Sequence, residues 1–311
     1  MVKRLFIFAS WDKDCIIDDT VLYYLRALSD VGDIVFATDC DTIDTELEKV
    51  RAMPNVLHII SGRHGEYDFG SYKRGYEWAR KKGILKNYDW MYIANDSVFG
   101  PFRPLKPVLE ELESNGAECT GMAKVHGKET AKMCEQLNLY HWEKHIQSWF
   151  VGFRHEIFTT DWFADFLCGV EKQEKKIDIV LKYEVGLSQL VLRRGFELEV
   201  LERELSGMKI LSHPLKLLAC GMPFLKKQAI VDPGIVRGAK RFVPAELWEP
   251  MVQNIRRNEL AVVYSTAWRM KLWRLTLVKC EVSRDKRRLR YWILRLLPIT
   301  VTKTQIGMTT C

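Results

Sequence analysis

No CxxC pair or other metal-ligand spacing joins the eight cysteines of this 311-residue chain (Cys15, Cys40, Cys119, Cys134, Cys168, Cys220, Cys280 and Cys311), and no secretory leader precedes its first apolar run. A disulfide-stapled secreted scaffold is thereby set aside, and reduced thiols of a cytoplasmic protein are expected. No stretch approaches the ~20 consecutive apolar residues of a membrane-spanning helix, so a soluble or peripheral protein is expected. Internal repeats and low-complexity tracts are also missing, which argues against solenoid and disordered classes. What is present is 47% hydrophobic residues, ample for a buried core in one large domain or two.

Negative charge is scarce in one region only. Between Tyr264 and Arg295 ten basic residues face only Glu281 and Asp285, so a net charge of +7 for the whole chain belongs to its tail. A nucleic-acid-binding domain would spread such charge over a groove, and its confinement to the tail argues against that class.

The rest reads as alternating strands and helices. Lys3–Ser10 reads as a buried strand, Asp19–Leu28 as a helix, Asp33–Asp39 and Val56–Ile60 as strands, with a short helix around Thr45–Arg51 between them. A helix at Ser71–Lys82, a strand at Trp90–Ala94 and a helix at Leu105–Asn115 continue the rhythm, which predicts a mostly parallel sheet covered on both faces. Further on, Ala117–Lys124, His145–Arg154 and Phe196–Leu201 read as strands, and Thr160–Glu171 and Asp178–Arg194 as helices, the second closed by Gly195.

Two motifs fall at adjacent strand ends, where α/β sheets bind ligands. In RHGEYDFGSYKRG, Gly65 and Gly70 permit close backbone approach, and Ser71 is expected to start a helix whose amides face an anion. Arg63 and Lys73 add positive charge, Tyr67 and Phe69 offer rings for a base, and Asp68 can accept from a ribose or base. The same Tyr67 and Phe69 suit a core, and Asp68 a helix cap. Asn95 and Asp96 end the strand Trp90–Ala94, so the Asp96 carboxylate is expected at the carboxyl edge of the sheet, where a hard cation needs oxygen ligands; a turn and cap pair has the same composition. Glu184, in KYEVGLSQLVLRRGF, is expected near a first helical turn, as a base or merely as a favourable dipole partner. His213, in LSHP, is a metal or phosphate ligand or an ordinary hydrogen-bonded histidine.

In their order, RHGEYDFGSYKRGYEWA, DWMYIANDSVFGPFRPL, HIQSWFVGFR, KYEVGLSQLVLRRGF and SHPLKLLACGMPFLKK resemble the rhamnan synthesis protein F family of bacterial polysaccharide glycosyltransferases, from Arg4 to about Lys227. The resemblance implies a GT-A-like nucleotide-diphospho-sugar transferase fold over residues 1–240, followed by a helical basic extension over 241–311. It implies a DxD-type carboxylate holding Mg²⁺ or Mn²⁺ on the donor diphosphate, matched by Asp96, a base matched by Glu184 and a later metal-site histidine matched by His213. The chain departs from that pattern with NDS where DxD stands. Donor contacts are then expected from Arg63, Tyr67, Asp68, Gly70, Lys73, Asn95 and Asp96.

The implied activity is transfer of a sugar, such as rhamnose or galactofuranose, from a nucleotide donor to a lipid-linked O-antigen or rhamnan-type glycan. A different class, a non-catalytic glycan-binding or assembly subunit, would keep the fold without turnover. In the tail, Trp268, Trp273 and Trp292 interleave with arginines, which suits the anionic inner face of the cytoplasmic membrane; a solvated terminal bundle or a nucleic-acid patch would also be basic.

Overall fold

The computed structural model describes residues 2–125, 145–201 and 209–260, so the basic run at 264–295 and its tryptophans lie outside the described residues. Strand β1 (Arg4–Ser10) is buried along its whole length, because it has neighbours on both edges and helices on both faces. There follow α1 (Asp19–Ser29), β2 (Asp33–Thr38), α2 (Asp44–Arg51), β3 (Val56–Ser61), α3 (Tyr67–Lys81), β4 (Trp90–Asn95), β5 (Val98–Phe99) and α4 (Leu105–Glu113). Next come β6 (Cys119–Gly121), β7 (Lys124–Val125), β8 (His145–Ile146), β9 (Phe150–Arg154), α5 (His155–Phe158) and α6 (Asp161–Cys168). A longer helical run is built from α7 (Lys176–Ile179), a π-helical segment (Val180–Val185) and α8 (Gly186–Arg193). The remaining elements are β10 (Leu198–Val200), α9 (Lys209–Ser212), α10 (Pro214–Ala219), β11 (Leu225–Lys226), α11 (Pro233–Ala239) and α12 (Ala245–Arg257).

The main sheet has seven strands in the order β10-β6-β9-β4-β1-β2-β3. All neighbours are parallel except at β9, which runs against both β4 and β6. The mostly parallel α/β sheet with flanking helices is therefore as expected. Alternation along the strands splits the apolar residues between two cores. Phe6, Phe8, Ile34, Phe36 and Tyr92 meet α1, α2 and α4 on one face. Leu5, Ile7, Val35, Met91 and Ile93 meet α3, α6 and α8 on the other. Close approach is enforced by Gly152, where an added Cβ would lie 2.4 Å from the Tyr92 ring.

One polar pair is sealed beneath the first face. Arg4 reaches both carboxylate oxygens of Glu113, at 2.5 and 2.6 Å, and Tyr92 Oη donates to the same group at 2.9 Å. Such a pair is tolerated out of water only when its remaining hydrogen bonds are met, as here.

Two stretches expected as continuous strands are divided, and one helix starts earlier than expected. His145–Arg154 breaks into β8, which pairs with β7 outside the main sheet, and β9, with Gln147–Trp149 turning between them. Ala117–Lys124 likewise divides into β6 and β7. The helix expected from Ser71 begins four residues earlier, at Tyr67, which has a left-handed φ of 57°. That conformation is costly for a bulky residue and persists only where the surroundings hold it.

Beyond residue 240 the described chain, to residue 260, continues to pack on the elements before it. Helix α12 packs against α1, and a third core gathers Phe99, Leu218, Leu225, Leu247, Met251 and Ile255. One compact unit runs to Ala261 and holds every described element.

Candidate active site at the carboxyl edge of the sheet

Strands β1 and β4 are adjacent and parallel, so their carboxyl ends deliver Ser10 and Asn95 side by side. From there Asp96 turns back onto β1: its Oδ2 accepts from Ser10 Oγ at 2.7 Å and from the Trp11 amide at 3.1 Å. Asn95, fully buried, spans to α3 by donating from Nδ2 to Asp68 Oδ2 at 2.8 Å, while its Oδ1 accepts from Ser97 Oγ and N. Asn95 thus ties two carboxylates, from different elements, into one patch.

The electrostatics reflect that crowding. Burial, followed by the neighbouring charge of Asp96, pushes the Asp68 carboxyl up to about 6, against the opposing pull of Lys176 and Lys226. Burial also raises Asp96, although Lys227 and the Ser10 hydrogen bond oppose it. Glu184 lies close enough for its charge to act on Asp68. Asp68 therefore lies within electrostatic reach of the other two acids singled out in the sequence, Asp96 and Glu184.

Glu184 is placed differently from its expected first-turn position. It sits in the π-helical segment after α7, so no free helix N-terminus poises it; local side chains do. Its Oε2 accepts from the Ser148 amide at 2.7 Å and from Ser148 Oγ at 2.5 Å, and His145 Nε2 lies 3.6 Å from Oε1. Burial favours the neutral acid, but His145 and the Ser148 hydrogen bonds outweigh it and hold the carboxyl below its ordinary range. A carboxylate so placed is ionised at neutral pH and can accept a proton.

The glycine-rich loop does not offer the open amide cradle expected of it. The amides of His64 and Gly65 donate to Asp39 Oδ1 at 2.6 and 3.0 Å, and the Arg63 amide and Nε both go to Asp41. The loop's donors are thus taken by the chain's own carboxylates. Gly70 is required by its neighbours: an added Cβ would lie 2.4 Å from Glu66 Cβ and 2.7 Å from the His64 ring. Since α3 starts at Tyr67, the Gly70 amide is spent on Glu66 O, and Ser71 Oγ pairs with His64 Nε2 at 3.0 Å. Lys73 Nζ donates to Val170 O at 2.8 Å. Tyr67 stays exposed at the start of α3.

His213 caps α10 on an exposed stretch, with Nδ1 2.8 Å from Ser212 Oγ, and the structure gives it no contact with Asp96. Among the described residues no group of three or more His, Cys, Asp or Glu is arranged to hold a metal ion. A divalent ion that arrives on a diphosphate needs less, because one or two protein carboxylates suffice when phosphates and water fill the remaining positions. Both described hydrogen bonds of Asp96 use Oδ2, which leaves Oδ1 for such an ion.

Several participants went unmarked in the sequence reading. Ser10 and Trp11 position Asp96, and Trp11 is 56% exposed beside it. Ser148 and His145 belong to HIQSWF, and Lys226 to GMPFLKK, both already distinctive as motifs. Farther along the chain, Arg257 on α12 grips the loop after β1, meeting Asp12 at 2.6 Å, Asp14 at 2.9 Å and Asp18 at 3.1 Å.

A family model for rhamnan synthesis protein F matches residues 34–272. No curated protein matches the sequence. Among solved structures, the chain is similar to a Desulfovibrio desulfuricans protein described as a nucleotide-diphospho-sugar transferase, at 14% identity and a TM-score of 0.35, over 65% of this chain and 80% of that one. It is similar to core-mannan synthase A from Aspergillus fumigatus in an Mn/GDP form, at 12% identity and 0.36, over 60% and 70%. It is also similar to a cytidylyltransferase from Leptospira borgpetersenii, at 11% identity and 0.37, over 84% and 97%. Scores and identities this low assign no activity.

Proposed function

Because the chain belongs to the rhamnan synthesis protein F family, we propose that it is a nucleotide-sugar-dependent glycosyltransferase extending a cell-surface polysaccharide of O-antigen or rhamnan type. The observation that carries this reading is the convergence of Asp68, Asp96 and Glu184 at the carboxyl edge of the parallel sheet. Donors of the dTDP-rhamnose or UDP-galactofuranose kind fit the family, with a lipid-linked glycan as acceptor.

In the inverting form of the reaction, the acceptor hydroxyl oxygen attacks the anomeric carbon. The bond from that carbon to the diphosphate oxygen breaks with its electron pair, and the acceptor proton passes to Glu184, which Ser148 and His145 keep ionised and oriented. Asn95 and Asp68 fix the donor side of the site, and Trp11 and Tyr67 offer exposed rings on which a base would stack. A divalent Mn²⁺ or Mg²⁺ held by Asp96 together with donor phosphate oxygens would supply Lewis-acid stabilisation of the leaving diphosphate.

A second reading, a non-catalytic glycan-binding or assembly subunit, draws on the fact that Glu184 is already engaged by Ser148 and His145. A thermal-shift screen of nucleotide sugars with and without Mn²⁺, followed by assay of nucleoside diphosphate release, separates the two. The glycosyltransferase reading expects a donor that raises the melting temperature by linkage and is turned over. Binding without release selects the assembly subunit, and no binding by any donor removes both the cleft and the reaction.

The basic tail supports a peripheral position at the inner face of the cytoplasmic membrane. Liposome binding is then expected to require anionic lipid and to weaken as salt rises, because the attraction is screened within a Debye length. Equal binding to neutral vesicles refutes the tail's role.

A further inference from the structure

Lys226 stands within electrostatic reach of Glu184 and Asp68. It lies on β11, which pairs antiparallel with β5 so that Lys226 is opposite Val98, and the next amide, Lys227 N, donates to Ser97 O at 3.0 Å. β11 is thereby pinned to the chain immediately after Asp96. The side chain is half-buried, with Nζ 5.9 Å from the Trp149 ring centroid, and it borders a small cavity lined also by Leu217, Met222 and Phe224. Its stem is therefore held by packing, and Trp149 in turn is anchored by Nε1 on Gln147 Oε1.

The charges that act on Lys226 are those of Glu184 and Asp68, opposed by Lys176. Yet among the described residues Lys226 forms no ion pair with either acid and no hydrogen bond. Several other cations among the described residues are engaged: Lys73 by Val170 O, Lys124 by Glu199, and Arg257 by three aspartates. A half-buried ammonium whose stem is fixed by packing and whose N–H donors have no hydrogen-bonded partner is available to an incoming anion. Lys227, the adjacent basic residue, acts instead on Asp96 and Asp18 and stands 5.2 Å from the Phe99 ring.

Resting on the glycosyltransferase reading, we propose that Lys226 is the protein's own cation for the donor diphosphate, binding it in the ground state and stabilising it as it leaves. As the anomeric carbon–oxygen bond breaks, the electron pair goes to the diphosphate oxygen, and the ammonium beside it meets the growing charge. The acceptor proton goes to Glu184, and the nucleoside diphosphate departs with Lys226 still protonated. A preorganised charge at a departing oxygen is the arrangement most effective in lowering such a barrier. It also suits a chain that carries NDS in place of two aspartates, since part of the neutralisation no longer depends on a metal.

Calorimetry with UDP, GDP, CDP and dTDP, each against its monophosphate and in the presence of EDTA, tests the assignment. The wild-type protein is expected to favour one diphosphate over its monophosphate without metal. Lys226→Met should reduce that preference by about tenfold to a hundredfold, the size of one charge-assisted hydrogen bond, while monophosphate affinity is unchanged. Lys226→Arg should restore part of it, and retained monophosphate binding shows that the variants are folded. A preference that survives intact in Lys226→Met overturns the proposal while leaving glycosyl transfer standing. So does a wild-type preference seen only with Mn²⁺ and indifferent to Lys226. A wild-type protein that binds no diphosphate overturns the donor reading and this proposal together.

Discussion

Replacing Asp68 by asparagine should make the protein more stable at pH 8 while weakening its hold on a donor. Asp68 is a carboxylate whose folded-state proton affinity is raised, from an ordinary 3.8 to about 6, first by burial and then by Asp96. Its ionised form is therefore disfavoured in the folded protein. The resulting destabilisation is fully present above pH 6 and fades as pH falls through 6 towards 4, where the folded and unfolded chains both carry the proton. A rise from 3.8 to about 6 corresponds to roughly 3 kcal/mol. Water still reaches part of the side chain, which reduces the figure to about 1–2 kcal/mol. Asparagine has nearly the same shape, and its Oδ1 can still accept the 2.8 Å bond from Asn95 Nδ2. In EDTA-containing buffer, Asp68→Asn should raise the melting temperature by about 3–6 °C at pH 8 and leave it nearly unchanged at pH 4.5. An equal gain at both pH values, or none at pH 8, refutes the like-charge patch. A gain in stability together with lost donor affinity is the mark of a residue kept for function.

Glu184→Gln keeps the bonds from Ser148 but cannot take the acceptor proton, so kcat should fall by about 10²–10⁴ with donor affinity retained; near-normal turnover by a soluble, donor-binding variant removes Glu184 as base. Arg257→Ala leaves Asp12, Asp14 and Asp18 as an unneutralised cluster on the loop that carries Trp11. Loss of a fully buried pair costs about 3–5 kcal/mol, and with partial exposure the expected loss is about 1–3 kcal/mol. The melting temperature should fall by several degrees at pH 7. A change smaller than about 1 °C would show that solvent already screens the cluster.

Much of the architecture was legible because it follows from period and propensity. The apolar runs at Arg4–Ser10 and Trp90–Asn95 are buried on both faces, so their strand character needs no knowledge of their partners. Asp96 was legible for the same reason, since a carboxylate that ends such a strand must emerge at the sheet's carboxyl edge. The family motifs likewise carried Asp68, Asn95 and Glu184.

The rest depended on contacts between distant parts of the chain. The helix start at Tyr67 rests on a left-handed residue and on His64 packed against Gly70, and local propensity prefers neither. The loop amides that suggested a phosphate cradle are filled by Asp39 and Asp41, from the end of a different strand. Glu184 owes its ionised state to Ser148 and His145, thirty-six residues or more away along the chain. Lys226 reaches the cleft only because β11 crosses the chain to pair with β5. Sequence by itself therefore determined which segments could form the sheet and which carboxylates could stand at its edge, because those properties are set by neighbours along the chain. Tertiary structure alone decided which charges meet, because Coulomb interactions and hydrogen bonds depend on distance in space, and the folded topology sets that distance.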